Sequence, residues 1–174
     1  MNLLQRTLLG LISGTVATGP MTAAMILMHR RLPQRERYPL PPREITMKLA
    51  REVGVEEKLD AEERSAVTMI SHFAYGAAGG ALYAAALEPT HRPLAKGVLF
   101  GLGVWEVSYL GWLPAAGVLS PATEHPARRN ALMIAAHVVW GAVMGTLLAL
   151  LVEESDPDSA EPFSAERTPH RDLT

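Results

Sequence analysis

The chain contains no cysteine, which excludes a disulfide scaffold and a paired-cysteine metal site. It also lacks a nucleotide-binding glycine loop and a catalytic-triad signature. It has no marked excess of either charge: the net value is −2 over 174 residues, with 20% charged residues. A mean hydropathy of +0.10 completes averages that fit an ordinary soluble domain. Those averages hide a segregation. Of 34 acidic and basic residues, the 92 positions of stretches 7–28, 65–87, 94–117 and 130–152 hold only Lys96 and Glu106. Surface helices of a soluble globule mix charge into every element, so this pattern excludes one.

Each stretch reaches the roughly 20 residues needed to cross a hydrocarbon core of about 30 Å as helix. None shows a polar stripe at helical spacing. The pattern therefore predicts an all-α integral membrane protein, a four-helix bundle of four spans. The first run, 22 residues long, exceeds the about 7–15 of a signal-peptide core and no small-residue cleavage site follows it, so it is read as a retained span.

Loop 29–64 carries nine basic and eight acidic residues and opens with Arg30, Arg31, Arg35 and Arg37. The run Pro39-Leu40-Pro41-Pro42 reads as rigid and non-helical. Beyond it, residues 43–59 repeat Ile45, Leu49 and Val53, the stripe of an amphipathic helix on the membrane surface. Asp60 with Glu63 reads as an N-cap and capping box, so the second span starts as helix outside lipid. Tail 153–174, with seven acids, two arginines and three prolines, reads as disordered. Eleven of the 16 basic residues lie in loops one and three, which puts both loops in the cytoplasm and both termini outside.

The chain also repeats itself. His72, Tyr75, Gly76 and Gly80 of the second span match His137, Trp140, Gly141 and Gly145 of the fourth at an offset of 65, as Arg64 matches Arg129. Gly10 and Gly14 match Gly97 and Gly101 at an offset of 87. Two helical hairpins in tandem, a parallel repeat, account for both offsets. Each span then carries one Gly-x-x-x-Gly, the spacing that lets helix backbones approach in lipid. These faces would pack the bundle internally or bind a homo-oligomeric copy or a membrane-protein partner.

Three ionisable residues lie inside the spans: His72, Glu106 and His137. Both histidines fall on the glycine face of their helix, and Glu106 of the antiparallel third span lies at a compatible depth, so a contact is allowed. Several readings fit this polar centre: hydrogen-bonding glue between helices, a proton or ion site, axial ligation of a b-type haem by the histidines, or a metal site of all three. Glu106 aligns with Gly19, beside Pro20, which breaks the repeat there and kinks the first span. Lys96 reaches the interface by snorkelling. The basic cluster suits topology and anionic lipid rather than nucleic acid.

Four features together carry a resemblance: Gly10-x3-Gly14, Leu40-Pro41-Pro42-Arg43, His72 with Gly76, and Ala136-His137-Val138-Val139-Trp140. The layout resembles the small bacterial inner-membrane proteins of the YagU type, a family of largely unknown function linked to acid resistance. The resemblance implies a multi-pass protein of the bacterial inner membrane. The expected function is non-enzymatic support of proton or pH homeostasis through His72, Glu106 and His137. The alternative is an assembly partner acting through its glycine faces, and a haem or metal redox protein is third.

Overall fold

The computed structural model describes residues 1–87 and 91–155. Among these residues there are five helices and no strand: α1 (Leu3–His29), α2 (Pro41–Glu52), α3 (Ala61–Ala86), α4 (Pro93–Ala115) and α5 (Ala127–Glu154). Local chemistry sets their starts. Asn2 caps α1 and exchanges hydrogen bonds with Gln5, and Asp60 caps α3 with Glu63 returning the bond, so the capping box read in the sequence is present. The prolines expected to exclude helix instead begin one. Pro41 and Pro42 fill the first positions of α2, where no backbone N–H is required. The helix then stops well short of residue 59, at Gly54 with φ +70°.

Helices α1, α4 and α5 are long and apolar enough to cross a membrane. Helix α3, the second of the four expected spans, is not among them, because Gly, Ser, His and Tyr lower the hydropathy of its charge-free part. Much of the apolar surface faces outward: Leu8, Leu11, Ile12 and Val16 of α1 are all exposed, as the outside of a bundle in lipid would be. Of the tail expected to be disordered, Glu153 and Glu154 continue α5, and residues 156–174 lie outside the described residues.

The helices lie in the order α3, α1, α5, α4, each packed on the next. The outer pairs close through glycine. A Cβ added to Gly80 would come 2.7 Å from Gly14 Cα, and one on Gly145 would come 2.9 Å from Gly97 Cα. Gly10 and Gly76 complete the α1/α3 seam, and Gly101 and Gly141 the α4/α5 seam. All eight of these glycines are therefore packed against helices of the same chain. The core runs along α1 and α5, with Ala17, Met21 and Met25 of α1 and Met133, Trp140, Met144 and Leu148 of α5 in one buried cluster.

One helix changes register. Pro114 has no N–H for the carbonyl four residues back, and α4 runs as a π turn over Val107–Trp112 with Gly111 at φ −109°, ψ −108°. The interruption lies here; α1 carries Pro20 within one continuous helix.

Candidate functional site

Helices α3 and α4 stand at the two ends of the packing order, and a cavity of about 670 Å³ opens between them. Thr18 of α1 lies at its base, and α2 crosses one end. Helix α2 docks on α3 through a hydrogen bond between Thr46 Oγ1 and Ser71 Oγ, 2.8 Å long. Its stripe Ile45, Leu49 and Val53 borders the cavity, with Leu49 and Val53 also exposed. The lining is overwhelmingly apolar, with a few polar groups among it. That is the form of a small-molecule site.

The histidines sit at this cavity. His137 is buried, and its Nδ1–H donates to Met133 O at 2.8 Å, which leaves Nε2 as the acceptor nitrogen. Tyr109 presents an edge to the His137 ring at 5.9 Å between centroids. His72 is half-buried, and its Nε2 is shielded with no hydrogen-bond partner. An unpaired buried nitrogen of this kind is costly unless something binds it. Tyr75 and Ser108 bridge α3 and α4 by a hydroxyl hydrogen bond of 3.0 Å. Trp140 lies across the cavity floor, donating Nε1–H to Gly14 O at 3.2 Å, with its ring over Gly79.

Glu106 does not join them. It is exposed, makes no hydrogen bond or ion pair among the described residues, and is absent from the cavity wall. The reason is helical geometry: α4 turns Gly97 and Gly101 into its seam, and Glu106 lies about 140° around the helix from Gly101. The three-residue metal reading therefore has no convergent set, and no cluster of three or more His, Asp or Glu side chains forms among the described residues. Two imidazole nitrogens are what the cavity offers a haem or a metal.

Sequence reasoning missed Ser108, Tyr109 and Trp112, all in the π turn that follows Glu106. The available signal was Pro114 at a mid-helix distance behind them. It also read Arg129 as a topology marker only. That side chain is 5% exposed, and its guanidinium donates to Glu36 O, Tyr38 O and Pro39 O and lies 3.5 Å from the Tyr38 ring centroid. Arg129 thereby ties the first loop to the start of α5, and His29 Nε2–H adds a bond to Tyr38 O.

A second cleft, about 770 Å³, lies on the opposite face of α2. Most of its cations are already engaged: Arg51 and Arg64 on the Glu56 carboxylate, and Lys48 on Gly117 O. The Arg51 hydrogen bond holds the Glu56 carboxyl below the usual carboxylate range, and Glu56 raises Arg51 in return. This cleft is a loop-holding network.

The fold and cavity define a helical protein with membrane-length helices and a lateral apolar pocket carrying two histidines. The chain belongs to DUF6789, a family of unknown function, whose model matches residues 4–159. No curated protein and no solved structure matches it.

Proposed function

We propose that the chain is a four-span protein of the bacterial inner membrane, built as two tandem hairpins, that takes an amphipathic small molecule from the bilayer into the α3/α4 cavity. His72 and His137 meet the polar end of that molecule and exchange protons or hydrogen bonds with it. The observation that carries this reading is the buried, unpartnered His72 Nε2 at a 670 Å³ apolar cavity that His137 also lines.

Several features support the rest. Residues 65–87 hold no charge, and α3 runs beside α1 along a glycine seam, so both helices share one depth range. The two seams have the same construction, Gly10–Gly80 in one hairpin and Gly97–Gly145 in the other. The basic residues of loops one and three favour a cytoplasmic side for both loops and an outer side for both termini. The proton chemistry anticipated for a His/Glu centre narrows to the two histidines, and a link to acid resistance rests on the YagU-type motifs alone.

Photolabelling tests the proposal. Protein in lipid nanodiscs would be irradiated with a long-chain alkylphenol carrying a diazirine on its chain, followed by peptide mapping. Adducts concentrated on Ala78, Leu82 and Trp112, and depleted by His72→Phe or by the cavity-filling Ala78→Trp, are expected. Adducts spread evenly over the outward faces of α1, α4 and α5, and unaltered by either variant, would overturn it. A haem Soret band in the visible spectrum of the purified protein would reassign the histidines as axial ligands.

A further inference from the structure

Glu106 is the one carboxyl within the four uncharged stretches, and the cavity does not use it. It lies nine residues before the end of α4, about 14 Å along the axis, near the middle of a core about 30 Å thick. A carboxyl facing hydrocarbon at that depth has neither water nor a protein group to bond, and such groups mark functional contacts. Its surroundings are specific. Leu99, Gly103, Glu106 and Leu110 follow one another at intervals of four, three and four residues on one face of α4. Leu99 is 68% exposed and Leu110 46%. Gly103 sits between them, with no atom within 4 Å of where a Cβ would stand. This face lies away from the Gly97/Gly101 seam, so the chain's own fold leaves it free.

We propose that this face is where a second copy of the chain docks, with Glu106 of each copy meeting Glu106 of the other across a two-fold axis. A carboxylic acid is self-complementary, since its O–H donates while its carbonyl oxygen accepts, and the two groups hold a proton between them. A two-fold interface requires nothing beyond this patch. Gly103 removes the side chain that would hold the helices apart, as small residues do at membrane interfaces. The patch carries no cation for Glu106, which a heterologous ion pair would have to bring from another protein.

The absence of native cysteine makes the test direct. Leu99→Cys, Gly103→Cys and Leu110→Cys are introduced singly into the full chain and oxidised in native membranes with copper phenanthroline. Disulfide-linked dimers are expected for positions on this face, and none for Leu8→Cys on the exposed surface of α1. Combining Leu99→Cys with Glu106→Leu should lower the dimer fraction about threefold, the scale of one average interhelical hydrogen bond in a membrane, while Glu106→Gln, which still donates and accepts, retains most of it. Thermal unfolding of both variants as detergent-dispersed monomers should match the parent, because Glu106 makes no hydrogen bond or ion pair among the described residues. Absence of dimers at all three α4 positions, dimers undiminished by Glu106→Leu, or a cross-linked product of two different proteins would each overturn the proposal.

Discussion

The two glycine-packed pairs, α1 with α3 and α4 with α5, meet on one side and part on the other. Between α1 and α5, Ala17 and Met21 of α1 and Met133, Met144 and Leu148 of α5 are buried in one cluster, and Trp140 closes the contact with a hydrogen bond to Gly14 O. Between α3 and α4, the bridges are the Tyr75–Ser108 hydroxyl pair and the edge contact of Tyr83 with Phe100, centroids 5.1 Å apart. Two tandem hairpins would make these two sides alike. Matched positions show the departure: Trp140 is 3% exposed, and Tyr75, its partner at the offset of 65, is 49% exposed. Helix packing in lipid has no hydrophobic force to close a gap, so a side without small, interlocking residues stays open. The open side is the one with a cavity and an unpaired imidazole.

Variants can break this comparison. The largest effect is expected at the seams, which are closed in both pairs. Gly80→Val and Gly97→Val should each cost about 3 kcal/mol or more, because backbone rather than a movable side chain stands in the way. Gly19→Ala, with open space around it, should leave the unfolding temperature in detergent unchanged or raise it. Equal stability of Gly80→Val and the parent would remove the seam argument.

Next come the matched arginines. Arg129→Met leaves unpaired three carbonyl oxygens that a buried guanidinium had satisfied, a loss of about 2–3 kcal/mol. Arg64 holds Leu59 O and Glu56 O from a more exposed position, so Arg64→Met should cost about 1 kcal/mol in the same melting experiment. A smaller difference separates the matched aromatics. Trp140→Phe should destabilise by about 1–2 kcal/mol through the lost bond to Gly14 and the space opened beside Gly79. Tyr75→Phe should remove only about 0.6 kcal/mol, an average interhelical hydrogen bond, while altering photolabelling on α3.

The smallest effect concerns pH at the loop cleft. The hydrogen bond from Arg51 lowers the Glu56 pKa on folding, so its contribution is fully present above the ordinary carboxylate pKa. It fades as pH falls through the depressed value. Protection factors of the amides across residues 51–58, each rate compared with its intrinsic rate at the same pH, should therefore fall on acidification in the parent and stay level in Glu56→Gln.

The helical class and the cap of α3 were legible in the sequence, because each depends on neighbours within a turn or two. Asp60 with Glu63 is one case. The polar centre was legible only in part. His72 and His137 share a face with their glycines, and both came to the cavity. Glu106 failed on the same rule applied to its own helix, since the Gly97/Gly101 seam turns it outward. Ser108 and Tyr109 became cavity residues through a π turn ahead of Pro114, a change of register that a regular helical period does not anticipate.

The sequence by itself determined where charge is absent and which positions let backbones touch, since composition and spacing alone specify both. The tertiary structure decided which pairs of helices close. It turned the α2 stripe onto a cavity, used Arg129 to bind a loop, and left Glu106 facing outward. These outcomes depend on the relative rotation of whole helices. A register change as small as one π turn resets that rotation, and no local pattern of residues encodes it.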